Sequence, residues 1–171
     1  MDGLREKIRV VPDFPKPGIG FKDITPLLSS PDGFQAMVNA FAERYAEQGV
    51  AQVVGIEARG FIIAAALAYR LRTGLTLVRK PGKLPAETLR AAYKLEYGTD
   101  EVEVHRDAVQ PGARVVLVDD VLATGGTIRA TLELLQRLQC EVLEVAVLLE
   151  LSDLNGRERL ADYQVFSLMR D

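Results

Sequence analysis

Residues 115–127 read VVLVDDVLATGGT, in which an apolar run ends in two carboxylates, passes through small residues and enters a helical pattern. An apolar strand followed by a short loop and a helix is the repeating unit of a parallel α/β sheet, and open sheets of that kind bind ligands beyond the carboxyl ends of their strands. Ala123, Thr124, Gly125, Gly126 and Thr127 then present several backbone N–H groups at a helix N-terminus, where the dipole also favours an anion. Gly125 and Gly126 allow the close approach, and any positive φ, that such a cradle needs. A phosphate monoester fits it. On this reading Gly125→Val fills space the phosphate needs and leaves the melting temperature almost unchanged. Asp119 and Asp120 would repel the phosphate unless they faced a cation or neutral donors, and ribose hydroxyls are such donors. A Walker loop needs Lys after its last glycine, whereas Gly126 is followed by Thr127 and Ile128. A plain strand-turn-helix with an acidic N-cap explains one of the two carboxylates but not both followed by ATGGT.

The same alternation runs through the rest of the chain. Ser30 is suited to cap a helix that begins at Pro31 and stops at Gly49, with Phe34, Met37, Val38, Phe41, Ala42 and Tyr45 on one stripe. Strands are expected at residues 52–56, 75–79, 114–118 and 142–149, and helices at 61–72 and 127–138. Residues 86–106 alternate around Gly98 and read as a hairpin that leaves the main sheet. The stretch VVPDFPKPGIGFKDITPLL is expected to be an irregular lid, because proline and glycine crowd it. These features make the fold class α/β, a parallel sheet core flanked by helices, in a single domain over residues 1–171.

Composition removes several functions. With a net charge of -3 and a pI near 5.3, the chain lacks the positive field on which nonspecific nucleic-acid binding depends. The longest apolar run, residues 61–69, is far short of the roughly 20 residues of a membrane helix, and the start MDGLREKIRV has no apolar signal core. Neither a membrane nor a nucleic acid is expected as a partner, and the expected compartment is the cytoplasm. Cys140 and His105 are the only residues of their kinds, so an internal disulfide and a multi-histidine metal site are ruled out. Arg59, in GIEARGF, follows a strand at the mouth of a helix, where a cation opposes the dipole unless an anion joins it.

DDVLATGGT is similar to the motif with which type I phosphoribosyltransferases bind phosphoribosyl pyrophosphate (PRPP). PDFPKPGIGFKDITPLL, GIEARGF, VRKPGKLP and YKLEYGTDEVEV extend the resemblance, to the adenine-using branch of that family, over most of the chain. The resemblance implies transfer of the 5-phosphoribosyl group from PRPP to adenine, giving AMP and pyrophosphate. It also implies an N-terminal hood of about residues 1–30 and a flexible hairpin over the active site. Asp119 and Asp120 would hold the ribose hydroxyls, and residues 123–127 the 5′-phosphate. Pyrophosphate would fall to Glu57, Ala58 and Arg59 and to the turn carrying Arg79, Lys80 and Lys83. In this family such a turn commonly acts across a dimer interface, so a homodimer is implied. Glu96 and Tyr97 would be catalytic residues of the hairpin, with the Glu96 carboxylate exchanging a proton with purine N7. Gly20, Phe21 and Lys22 of the hood would hold adenine through backbone groups and an aromatic face, with Leu151 opposite. Mg²⁺ would be bound through PRPP and water, without a direct protein ligand. The chain has Lys22 where many relatives carry Arg, and Glu57 where some carry Asp; Lys cannot form a bidentate fork. Transfer to xanthine, hypoxanthine or guanine is the nearest alternative, and a PRPP-sensing regulator, which should carry a DNA-binding addition or a basic surface, is the other.

Overall fold

The computed structural model describes residues 2–95 and 98–171. In chain order the elements are α1 (Asp2–Arg5), β1 (Arg9–Val11), β2 (Phe21–Asp23), α2 (Thr25–Leu28), α3 (Pro31–Tyr45), β3 (Gln52–Ile56), α4 (Arg59–Leu71) and β4 (Gly74–Val78). They continue with β5 (Thr88–Leu95), β6 (Gly98–His105), β7 (Arg114–Leu122), α5 (Gly126–Arg137), β8 (Glu141–Glu150), two 3-10 turns (Ser152–Leu154 and Gly156–Leu160) and β9 (Val165–Arg170). A five-stranded sheet runs in the order β4-β3-β7-β8-β9, and every pairing in it is parallel. β3 is followed through α4 by β4 on one side, whereas β7 is followed through α5 by β8 on the other. The strand order therefore reverses between β3 and β7, and a ligand crevice belongs at the carboxyl ends of those two strands.

Alternation along the strands divides the core. Val116 and Val118 point to a cluster with Met37 and Phe41 of α3 and Ile63 and Leu67 of α4. Val115 and Leu117 point to the opposite cluster, with Ile128, Leu132 and Leu135 of α5 and Val102 and Val104 of β6. A strand buried on both faces must be apolar at consecutive positions, as β7 is up to Val118. α3 starts as its sequence implies, with Pro31 in the first turn and Ser30 Oγ accepting a hydrogen bond from the Gly33 N–H at 3.2 Å. It ends at Tyr45, before the expected stop at Gly49.

Three expectations are corrected. The N-terminal segment is not irregular throughout: β1 pairs antiparallel with β2, Val11 facing Phe21, and α2 follows. β7 does not end before its carboxylates but runs through Asp119 and Asp120 to Leu122, because its pairing with β8 continues that far. α4 begins two positions early, at Arg59. The hairpin does leave the sheet, β5 and β6 forming a separate antiparallel pair. A single bridge between Arg79 and Glu103 ties it back to the turn after β4.

Candidate active site

Asp119 and Asp120 lie at the reversal point and are 8% and 7% exposed. Asp119 Oδ1 accepts the Asp120 N–H at 2.9 Å. Burial, and next the adjacent Asp120 charge, pushes the Asp119 carboxyl well above its ordinary value, and burial pushes Asp120 up as well. α4 can approach so closely only because residue 60 is glycine: a Cβ there would stand 2.8 Å from Asp119 Oδ1 and 3.1 Å from the Val118 carbonyl oxygen.

Arg59 is the nearest cation. Its Nε lies 2.6 Å from Asp120 Oδ2, yet too obliquely for a hydrogen bond, so Asp120 Oδ2 is a buried oxygen without a hydrogen-bond partner. Arg59 Nη1 donates to the Lys22 carbonyl at 3.1 Å, and its guanidinium sits 4.7 Å over the Phe21 ring. The arginine expected at pyrophosphate thus joins the hood to the acidic pair. The Glu57–Ala58 peptide beside it is cis.

Ala123, Thr124, Gly125, Gly126 and Thr127 line, with Asp119, a cavity of about 70 Å³ at the start of α5. Thr124 also lines a neighbouring cavity of about 690 Å³, whose other walls are Gly18, Ile19, Gly20 and Lys22 of the hood and Leu151, Ser152, Asp153 and Leu154 beyond β8. Three of the residues expected around adenine (Gly20, Lys22 and Leu151) therefore face one space, whose lining includes Thr124 of the glycine loop. Phe21 is not among its walls; its ring packs edge-on against Phe14, centroids 5.1 Å apart. The Lys22 ammonium is paired with the Asp171 carboxylate.

The cationic turn is held by two carboxylates. Glu57 accepts from Arg79 Nε and Nη2, both at 3.2 Å, and from the Lys80 N–H at 2.9 Å. Burial works to raise the Glu57 pKa, but the Arg79 guanidinium and that N–H outweigh it and hold it below the ordinary value. Glu103, 1% exposed, accepts the Lys83 and Leu84 N–H groups at 3.0 and 3.1 Å. Lys80 Nζ donates to Tyr93 Oη at 2.8 Å and pairs with Asp100, both on the hairpin. Lys83 is exposed. Glu96 and Tyr97 lie outside the described residues.

A model of the phosphoribosyl transferase domain matches residues 24–170, most of the chain. The chain belongs to this family. It is 57% identical over 170 residues to the adenine phosphoribosyltransferase of Syntrophotalea carbinolica, covering 99% of each chain. Its fold is similar to the crystal structure of adenine phosphoribosyltransferase from Thermoanaerobacter pseudethanolicus, with a TM-score of 0.97, 48% identity and 99% of both chains covered. It is also similar to the Saccharomyces cerevisiae enzyme complexed with an imino-altritol bisphosphate and adenine, with a TM-score of 0.93, 38% identity, and 98% of this chain and 97% of that one covered.

Within this phosphoribosyl transferase domain, several site residues had no motif to announce them. Glu103 reads as an ordinary strand carboxylate until the turn folds onto it, and Gly60 as one more glycine of GIEARGF. Ser152, Asp153, Leu154 and Gly156 sit in short 3-10 turns without periodicity. Gly156 also corrects the expected effect at Gly125. A Cβ at Gly125, where φ is +78°, would lie 2.6 Å from the Gly156 carbonyl oxygen, so it would run into the Gly156 backbone. Gly125→Val should therefore lower stability by about 2–4 kcal/mol, from left-handed strain plus overpacking, and lose AMP binding as the loop shifts. Thermal unfolding of the ligand-free variant checks this; an unchanged melting temperature would contradict the contact.

Proposed function

We propose that this protein transfers the 5-phosphoribosyl group of PRPP to adenine, forming AMP and releasing pyrophosphate. One observation carries the reading: Asp119 of the buried acidic pair and the glycine loop at the start of α5 line one cavity, and that cavity shares Thr124 with a second, roomy enough for a base, under the hood. Those are places for the three parts of a nucleoside monophosphate, whose ribose joins the base at C1′ to the phosphate at C5′. The relatives named above act as adenine phosphoribosyltransferases, and one was crystallised with adenine.

In the reaction the bond from ribose C1′ to pyrophosphate breaks, a bond to adenine forms, and the purine imidazole ring gives up a proton. Asp119 and Asp120 hold the ribose hydroxyls while positive charge develops at C1′, which two buried carboxylates stabilise. The N–H groups of residues 123–127 keep the 5′-phosphate in place. Arg59, Arg79, Lys80 and Lys83 are the cations for pyrophosphate, with Glu57 positioning Arg79 and the Lys80 N–H. Arg59 must exchange its place beside Asp120 for the substrate. The backbone of Gly20 and Lys22 reads the adenine edge, Leu151 packs on a face of the ring, and Phe21 supports Arg59. Glu96 is the general base, with Tyr97 beside it.

Mg²⁺ fits a site of this kind. Among the described residues no group of three or more His, Cys, Asp or Glu could hold a metal, while Asp120 Oδ2 is buried with only its ion pair to Arg59, and no hydrogen bond, to satisfy it. That would suit a hard cation bound by substrate oxygens and water and not by a protein cage. When bound, the ion neutralises charge on the leaving pyrophosphate.

α4 and the edge strand β4 leave Ile62, Tyr69, Leu75 and Leu77 exposed, Tyr69 to 88%. A second copy covering this face would form the homodimer and lie beside the cationic turn that follows β4. No described helix is long and apolar enough to cross a membrane, and the cytoplasm is the compartment proposed. Nucleic acid is not a proposed partner.

Steady-state pyrophosphate release with adenine, hypoxanthine, guanine and xanthine in turn tests the reading. Adenine should be the preferred acceptor. Preference for an oxopurine would reassign the base site, and PRPP binding without turnover on any purine would favour the regulator.

A further inference from the structure

We infer that residues 151–157 form a rigid bracket that sets the distance between base cavity and phosphate loop, with Gly156 and Arg157 as its positioning residues; this rests on the functional reading above. One end of the segment is a wall. Leu151, Ser152, Asp153 and Leu154 line the large cavity, and the Leu151 N–H donates to the Leu122 carbonyl at 2.9 Å. The other end is a buttress. A Cβ on Gly156 would stand 2.0 Å from the Ala123 carbonyl oxygen, and the Gly156 carbonyl in turn limits residue 125. Backbone meets backbone there with no side chain between them, so the spacing has little freedom to relax.

Arg157 fixes the bracket to the sheet. Its Nε and Nη2 donate to the two Glu150 carboxylate oxygens at 2.8 and 2.5 Å, and Nη1 donates to the Val165 carbonyl at 2.8 Å. Nη2 also reaches Ser167 Oγ at 3.1 Å. One guanidinium thereby joins the bracket to the end of β8 and to β9, in a planar fork that Lys cannot reproduce. Leu160, fully buried, pins the following turn in the core.

A nucleoside monophosphate occupies both subsites at once, whereas adenine or ribose 5-phosphate occupies one. Fixed spacing makes the second contact of the joined ligand intramolecular, so it strengthens AMP without strengthening either fragment. A purely structural role for Arg157 would weaken all three ligands together, or none.

Calorimetry of the full chain with AMP, adenine and ribose 5-phosphate separates these cases. Arg157→Met leaves Glu150 with Arg170, 3.2 Å away, and with Ser167. This variant should lose about 10- to 100-fold in AMP affinity while each fragment stays within about twofold. Arg157→Lys, a milder change that serves if the first fails to fold, should show a smaller loss confined to AMP. Equal losses for all three ligands, or unchanged AMP binding beside a lowered melting temperature, would overturn the bracket. A wild-type protein that binds no AMP would instead overturn the functional reading on which it stands.

Discussion

A protein carrying Asp119→Asn together with Asp120→Asn should lose PRPP-dependent turnover and yet melt no lower than wild type. The loss follows from the ligand contacts. Hydrogen bonds to a charged acceptor contribute about 1.5–3 kcal/mol each, so giving up two costs roughly a hundredfold or more in PRPP affinity. Turnover falls further because the charge proposed to face ribose C1′ is gone. The retained stability follows from burial. The Asp119 carboxyl is raised by burial and by its neighbour, so above the ordinary value of 3.8 the folded protein keeps a proton that the unfolded chain has released. Stability therefore falls as pH climbs through that window, and is fully present below it. Asn has no charge to bury and escapes that loss. The difference in melting temperature between variant and wild type should accordingly widen from acidic to neutral pH. Titration calorimetry with PRPP and melts across that range test both halves. Unchanged PRPP affinity would remove the anchor of the functional reading; a sharp fall in melting temperature would mean that Arg59 needs Asp120 more than burial penalises it.

The second large effect is expected at Glu96. If its carboxylate exchanges a proton with purine N7, Glu96→Gln keeps size and hydrogen bonding but lacks the base, and the chemical step should slow by about 10²–10⁴-fold. An exposed strand carboxylate would cost almost nothing. PRPP affinity should barely change, because the proposed holders of the donor are the acidic pair and the loop at α5, not the hairpin. Both flanks of Glu96 are anchored. β5 and β6 pair as far as Leu95 and Gly98, and Lys80, Asp100 and Tyr93 join the hairpin to the cationic turn. Single-turnover transfer to adenine isolates chemistry from product release. A wild-type single-turnover rate in the Gln variant would leave the donor site standing and dismiss Glu96 as the base.

What the amino-acid sequence determined by itself is local. Ser30 and Pro31 start α3 through contacts within one turn, and VVLVDDVLATGGT places a strand, a loop and a helix because each needs only its own residues. Alternation of apolar strands and helices then leaves a parallel sheet as the way to bury them. The acidic pair and the glycine loop were legible for the same reason: their chemistry is adjacent in sequence. Where a pattern was short or lacked periodicity, the reading failed. β1 and β2 hold only three residues each, too few to outweigh the surrounding prolines, and the 3-10 turns after β8 repeat nothing. Tertiary structure alone decided that Arg59 rests on Asp120 and reaches the Lys22 carbonyl, that Glu103 gathers the turn at Lys83, and that Gly156 supports Gly125. Each contact joins segments separated in the chain: the first meets where strand order reverses between β3 and β7, the second where the hairpin folds onto the turn after β4, and the third where the loops after β7 and β8 lie side by side. The energy that selects such a contact comes from close packing and from satisfying buried charge, and neither is defined until the whole core has formed.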